Sequence, residues 1–331
     1  MVTDRGFAWR SSARRKPGRS IVLGVAALMS LAVACVLPSA ASAQQKFPLR
    51  IAYTPYMTWL PFLVAQDKGI FAEHGLEISM TRFPDISNLP GSVGRQFDLA
   101  PTTAPDFLNA VASGLTLVAV AGETVESSQN KSYLVLVRPD SGINSPKDLA
   151  GKRIAGPGIG SVMHVALLYW VKQNGGDPSA IVGIQVPFPN MADQLKAARV
   201  DAVEQLEPFV TPMLKAGYKS LGDPLLTIAD PVLFPFWIAD ATWARAHRHV
   251  IKEFVASLEG GLQVIKTDDK TARAVLAKYS GLPANVVAKI PTPQFDFSIT
   301  PAEIDVWRKV MMTQGDPLQS LDVNRLVVTG E

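Results

Sequence analysis

The run Arg153-Ile154-Ala155-Gly156-Pro157-Gly158-Ile159-Gly160-Ser161 holds the residue types and spacing best suited to chemistry in this chain. It reads as a short strand, a glycine turn and a helix starting at Ser161. A helix's first turn leaves backbone N–H groups without intrahelical partners, which suits an anion or a polar head group. Gly156, Gly158 and Gly160 either let the backbone approach such a ligand or simply make the turn. The helix that follows, Val162 to Gln173, is apolar on nearly every side, which predicts burial. The glycine spacing matches neither the dinucleotide nor the P-loop pattern. The next strand, Gly183 to Val186, runs into Pro187-Phe188-Pro189 and offers no Asp or Glu to hold a ribose. A nucleotide cofactor is not expected, nor is any other cofactor.

Other chemistries find little support. Cys35 is the only cysteine. If the chain is cleaved beyond it, no disulfide, thiolate nucleophile or Cys metal site remains. His74, His164, His247 and His249 are scattered, and the last two do not share a helix face. No metal site is expected. No Gly-x-Ser-x-Gly elbow occurs, so a hydrolase triad on that scaffold is not indicated.

The N-terminus has the form of an export signal. Arg10, Arg14, Arg15, Lys16 and Arg19 precede an apolar stretch, Ile21 to Leu37, and Ala41-Ser42-Ala43 reads as a cleavage site before Gln44. The apolar stretch has 17 residues, short for a membrane span. The expectation is a signal peptide over 1–43, cleaved after Ala43, and a periplasmic protein. The alternative is lipid attachment through Cys35. Residues 1–43 carry six basic groups and one acid, so their removal turns a net charge of +3 into about −2. The basic precursor is therefore no sign of a nucleic-acid partner. The 288 residues that remain suffice for two ordinary domains.

The elements that must position the glycine turn alternate. Strands are predicted at Leu49–Tyr53, Leu76–Met80, Phe97–Ala100, Leu117–Ala121 and Tyr133–Val137. Helices are predicted from Pro61 and Pro105. This order argues for an α/β fold with largely parallel sheets. The second half repeats it: Arg153-Ile154-Ala155 follows Arg50-Ile51-Ala52 by 103 residues, and Val200-Asp201-Ala202 follows Phe97-Asp98-Leu99 at the same offset. Two lobes of similar build would make a cleft where the carboxyl ends of their strands face each other. After Pro235 the chain is read as mostly helical, with helices at His249–Ile265, Lys270–Tyr279 and Pro301–Thr313. Thr300-Pro301-Ala302-Glu303 forms a capping box, and Trp307, Val310 and Met311 are read as core.

Several segments together carry a family likeness. They are Arg50-Ile51-Ala52, Lys68-Gly69-Ile70-Phe71, Phe97-Asp98-Leu99-Ala100, Asp148-Leu149-Ala150-Gly151-Lys152-Arg153-Ile154-Ala155, Gly160-Ser161, Val200-Asp201-Ala202 and Glu207-Pro208-Phe209. In this order the chain resembles the solute-binding proteins of ABC importers of the nitrate/sulfonate/taurine type. Binding proteins for thiamine-pyrimidine precursors belong to the same superfamily. The resemblance implies a type II periplasmic-binding fold, two α/β lobes joined by two hinge strands with the ligand cleft between them. It places lobe 1 at 44–137 and 234–331 and lobe 2 at 138–233, with hinges near Leu136–Arg138 and Pro231–Phe234. It implies a monomer that hands a small solute to a membrane permease and its ATPase. It also implies solute contacts at Thr54, Tyr56 and Trp59, at Thr102 and Thr103, at Ser161 and at Glu207. Around Phe83–Asn88 the chain departs from commoner members, so the cleft rim is expected to differ.

Each of these residues has a plainer reading as well. Tyr56 and Trp59 can wall a solute or fill the core. Thr102, Thr103 and Ser161 can each donate one hydroxyl hydrogen bond or cap a turn. Glu207 can accept from an amine or cap a helix. An anionic solute would want a cation, for which Arg82 and Lys131 are nearest by topology. The solute is expected to be a small sulfonate-, carboxylate- or aromatic-type molecule. The chain is not expected to be an enzyme. Two other functions stand beside this one: a precursor-synthase-like enzyme on the same scaffold, and a periplasmic sensor feeding a receptor.

Overall fold

A computed structural model describes residues 45–83 and 86–331. The expected signal peptide 1–43, its cleavage after Ala43, Cys35, and Pro84 and Asp85 of the rim lie outside the described residues.

The first part of the chain runs β1 (Phe47–Tyr53), α1 (Leu60–Asp67), α2 (Ile70–Glu73), β2 (Leu76–Arg82), β3 (Ala100–Thr103), α3 (Ala104–Ala112), β4 (Leu117–Gly122) and β5 (Thr124–Glu126). The middle contains β6 (Tyr133–Val137), β7 (Arg153–Gly156), α4 (Val162–Gln173), β8 (Val182–Gln185), α5 (Phe188–Lys196), β9 (Ala202–Leu206), α6 (Val210–Lys215) and β10 (Lys219–Gly222). The last part adds β11 (Val232–Leu233), β12 (Pro235–Asp240), α7 (Ala241–Ala246), α8 (Arg248–Thr267), α9 (Asp269–Ser280), α10 (Ala284–Val287), β13 (Gln294–Phe295) and α11 (Pro301–Met312).

The strands sort into two systems. In the first, β1 pairs parallel with β2, and β12 lies antiparallel between β3 and β4. In the second, the order is β10-β6-β9-β7-β8, with β7 parallel to both β8 and β9. Two strand runs, β4–β5 and β11–β12, extend from the first system, and β11 pairs antiparallel with β5. These are the two connections between the lobes. The fold is therefore the expected two-lobed α/β architecture, but its sheets are mixed rather than largely parallel, because the connecting strands and β6 run antiparallel to their neighbours, and the first crossing falls earlier than Leu136–Arg138. Tyr133–Val137 pairs with β9 and β10, so it belongs to the second lobe and the chain crosses between Glu126 and Tyr133.

The repeat is visible atom by atom. Asp98 accepts from the Arg50 backbone N–H at 2.8 Å, from its Nε at 3.1 Å and from its Nη2 at 2.6 Å. Asp201 accepts from the same three Arg153 atoms at 2.9, 3.2 and 3.1 Å. A further contact also has its counterpart, since Arg50 Nη1 donates to the Arg95 carbonyl and Arg153 Nη2 to that of Ala198. Each Asp backbone N–H returns to the Arg carbonyl, so each clasp ties the start of one strand to the entry of its neighbour. The Arg153 hydrogen bond and charge hold the Asp201 carboxyl below the usual carboxylate range. Asp201→Asn is expected to lower the melting temperature at neutral pH. A depressed folded pKa gives stability above the unfolded value that is lost as pH falls, so the deficit closes in acid. Thermal melts from pH 3 to 7 check this.

Between Pro235 and Asp240 the helical reading fails. Pro-Phe-Trp-Ile-Ala-Asp is a buried central strand. A short apolar run gives no period to separate strand from buried helix, and Pro at its first residue is compatible with a strand. Trp237 on this strand is fully buried, 5.2 Å from the Phe62 ring and 5.1 Å from that of Phe254. α8 packs this aromatic core against α1. The capping box forms as read: Glu303 accepts from the Thr300 N–H at 2.7 Å and its hydroxyl at 2.8 Å. Trp307, Val310 and Met311 are buried, and Trp307 donates to the Leu233 carbonyl at 3.2 Å.

Candidate ligand-binding cleft

A cavity of about 600 Å³ opens where the carboxyl ends of strands from both lobes meet. This is where open α/β sheets bind ligands. From the first lobe it is lined by Thr54 just after β1, by Tyr56, Thr58 and Trp59 ahead of α1, by Ile86 and Ser87, and by Asp106 of α3. The second lobe contributes Pro157 and Ser161 of the glycine turn, Val162 and Met163 of α4, Gln185 ending β8, and Phe188. Leu206, ending β9, and Phe234 and Pro235 between the connecting strands complete the wall.

Four of the residues implicated from sequence line this cavity: Thr54, Tyr56, Trp59 and Ser161. Thr54 is 1% exposed, and its Oγ1 has no hydrogen-bond partner among the described residues. Buried hydroxyls are nearly always paired, so an orphan in a cavity wall marks a place for a ligand atom. Tyr56 is exposed at the rim. Trp59 does both jobs foreseen for it: it is buried edge-on against Trp237, ring centres 5.0 Å apart, and still borders the cavity. Ser161 likewise caps α4, accepting from the His164 N–H at 3.3 Å, while lining the cleft.

Three do not line it. Thr102 is fully buried, and its hydroxyl faces the Thr103 carbonyl at 3.4 Å. Thr103 donates to Asp106 Oδ2 at 2.6 Å and so reaches the cleft through that carboxylate. Glu207 accepts from the Thr211 hydroxyl at 2.5 Å and its N–H at 3.3 Å, which ties it to the first turn of α6. It borders a small neighbouring hollow instead. Arg82 and Lys131, the cations nearest by topology, are exposed and outside the lining.

Asp106, Gln185 and Phe188 were not singled out from sequence. All three follow a strand's carboxyl end, and that rule, applied to β3 and β8 as it was to β1, would have found them. Ile86 and Ser87 come from the departing rim segment, which does shape the cleft wall.

The three glycines of the turn have separate causes. A Cβ on Gly156 would stand 1.8 Å from Glu204 Oε2, so this glycine makes room for a buried carboxyl rather than for a ligand. Gly160 has φ +80°, a conformation that L side chains rarely adopt. Gly158 has only ordinary contact, its Cβ position 3.9 Å from Gln185 Nε2. Glu204 lies two residues before Leu206, and the Tyr133 hydroxyl donates to it at 3.4 Å. Burial pushes the Glu204 carboxyl up to about 8.

Two lobes, two connecting strands and a cavity at the strand ends define the architecture of the periplasmic binding proteins. The chain belongs to the NMT1/THI5-like family, whose profile matches residues 57–272. It is similar in structure to the periplasmic aliphatic sulphonate binding protein SsuA of Escherichia coli. The TM-score is 0.71 at 22% identity, over 85% of this chain and 97% of the other. A protein of Brachyspira hyodysenteriae named for ABC-transporter periplasmic binding is 23% identical over 255 residues, 72% of this chain and 71% of its own. The bicarbonate transport ATP-binding protein CmpC of Synechocystis is 29% identical over 198 residues. The match takes in 55% of this chain but only 29% of CmpC's length.

Proposed function

We propose that this chain is the solute-binding component of an ABC importer, exported to the periplasm, where it captures a small organic molecule between its lobes as a monomer. It passes that solute to a permease and ATPase in the inner membrane. The observation that carries the reading is the Thr54 hydroxyl, buried and without a partner among the described residues, in the wall of a cavity of about 600 Å³. Pockets of this size and mixed lining take small organic ligands. The connecting strands β4–β5 and β11–β12 would serve as the hinges, with lobe closure as the motion.

A thermal-shift screen of the mature protein against sulfonates, aromatic carboxylates, nitrate, pyrimidines and amines tests the reading. A ligand at a hundredfold excess over Kd stabilises the folded state by about 2.7 kcal/mol. No shift with any class would speak against capture of a free solute. Thr54→Val sharpens the test. It is expected to leave the unliganded melting temperature unchanged or higher, because it removes an unpaired buried hydroxyl, and to weaken solute binding by about 0.5–1.5 kcal/mol. Ser161→Ala is expected to lower both stability and affinity, since the hydroxyl is cap and lining together; loss of the cap alone costs about 1 kcal/mol. Calorimetry and melts on both variants separate these effects.

A further inference from the structure

We infer that Leu206 and Phe234 set how long a solute the cleft accepts, by walling off a side chamber in which the Thr124 hydroxyl would receive the polar end of a longer molecule. This inference rests on the solute-binding reading above and adds a second compartment to the same site. The hollow that Glu207 borders lies against the cleft: Tyr56, Thr58, Leu206 and Phe234 line both spaces and form their common wall. Lobe 1 supplies Tyr56 and Thr58, and lobe 2 supplies Leu206 at the end of β9. Phe234 stands between β11 and β12 of the second connection. Tyr56 lies at the exposed rim and Thr58 is small, so the two apolar side chains are the bulk of the partition.

Beyond the partition, Thr124 begins β5 and is paired with Phe234, whose backbone N–H donates to the Thr124 carbonyl at 3.0 Å. Thr124 is 3% exposed, and its Oγ1 has no hydrogen-bond partner among the described residues. Its polar neighbours in the lining are already engaged. Glu126 accepts from the Ser132 N–H and hydroxyl at 2.5 Å each and from the Tyr133 N–H at 3.1 Å. Asn130 donates to the Thr292 carbonyl at 2.9 Å, and Glu207 is held by Thr211. Thr124 is left as the open hydrogen-bonding group, and a buried hydroxyl nearly always has a partner. A hydroxyl both donates and accepts, so its match is a hydroxyl or an amide rather than a methyl group. Leu276, Leu282 and Ile290 make much of the remaining wall apolar, which suits a hydrocarbon chain leading to that end. The chamber's volume of about 40 Å³ takes roughly three water-sized groups. The cleft has room for the body of a solute, and the chamber for the end of a chain only.

The chamber is tested first without any solute. The chain from Gln44 onward contains no cysteine, so Thr124→Cys provides a single thiol there. Its reaction with methyl methanethiosulfonate is followed by mass spectrometry. The reaction is expected to be slow, and about tenfold or more faster when Leu206→Ala is added. Fast reaction with the wall intact would show that the hollow opens to bulk water, and a rate indifferent to Leu206→Ala would show that Leu206 does not close it; either result overturns the inference. The second arm uses ω-phenylalkanols of increasing chain length and their methyl ethers, with binding read by calorimetry. In the parent, affinity is expected to stop rising once the chain fills the cleft. In Leu206→Ala it is expected to go on rising, with the longer alcohols bound roughly three- to tenfold more tightly than their ethers. Adding Thr124→Val to Leu206→Ala is expected to remove that advantage. Every variant is first shown to keep a cooperative melt, and Phe234→Leu replaces Leu206→Ala if that one does not. No gain with chain length after the wall is shortened would overturn the length assignment while the solute-binding reading stands. Failure of the thermal-shift screen, with the labelling result as expected, would count against solute capture itself rather than against the chamber.

Discussion

Gly261→Ala is expected to lower the melting temperature by roughly 3–5 °C, although alanine is the better helix former. Gly261 is buried in α8 where that helix crosses α1. A Cβ there would fall 2.1 Å from the Pro61 carbonyl oxygen, 2.9 Å from its carbon and 3.2 Å from the Ala65 nitrogen. All three are backbone atoms, so no side chain can turn aside, and the helices must separate. The gain in helix propensity is about 1 kcal/mol. Overpacking a tight core costs about 1–3 kcal/mol through side-chain movement alone, and more when backbone must shift. A net loss of about 2–3 kcal/mol corresponds to the stated fall in a domain of this size. Gly260→Ala is the control. Its Cβ would meet only the Ile70 side chain, at 2.9 Å, which can rotate. That variant is expected to melt near the parent temperature. Because α1 follows directly on Trp59, Gly261→Ala is also expected to weaken solute binding, whereas Gly260→Ala is not. A Gly261→Ala protein as stable as the parent in thermal and urea unfolding would show that α1 and α8 are not in backbone contact.

How much of this could be read from the chain depends on which interaction sets each feature. The long helices were legible because periodicity and caps are local: α4 runs from Val162 to Gln173 as read, and Thr300 and Glu303 form their box. The two-lobe plan was legible because Arg50–Asp98 and Arg153–Asp201 each need the same residue types at the same separation. β12 was missed because its apolar run has no internal signal that it lies between β3 and β4. The reason for Gly156, left open between a ligand and a plain turn, was not legible because its true neighbour, Glu204, is 48 residues away and meets it only when β7 pairs with β9. The site shows the same division. Thr54 and Ser161 follow from strand ends and helix starts. Asp106, three residues past the end of β3, follows from the same rule, whereas Glu207 leaves the cleft because Thr211 lies one turn further on and captures its carboxylate.

Glu204→Gln is expected to change how stability depends on pH, with the largest effect in mild alkali. The Glu204 carboxyl is completely buried between β7 and β6, and desolvation raises it from an ordinary value near 4.5 to about 8. The folded chain therefore holds this proton over a range in which the unfolded chain has released it. Where the native state binds more protons than the unfolded state, stability falls as pH rises. The contribution is fully present below about pH 4.5 and is lost progressively until pH passes about 8. At about 1.4 kcal/mol per pKa unit the loss is on the order of 2–5 kcal/mol. Glutamine reproduces the protonated acid and cannot ionise. The variant is thus expected to match the parent near pH 5 and to exceed it increasingly up to pH 9. Glu123 and Glu126 are pushed up by their own burial, and Asp223 by burial and by the neighbouring Glu126 charge. Both variants share those groups, so the difference between the two melts isolates Glu204. A difference that stays constant from pH 5 to 9 would show that Glu204 is already ionised in the fold. Since Glu204 lies below Leu206 of the cleft wall, solute affinity in the parent is expected to fall only as pH passes about 8, where the folded group ionises, and to stay level in Glu204→Gln. A decline of equal size in both would place the responsible group elsewhere.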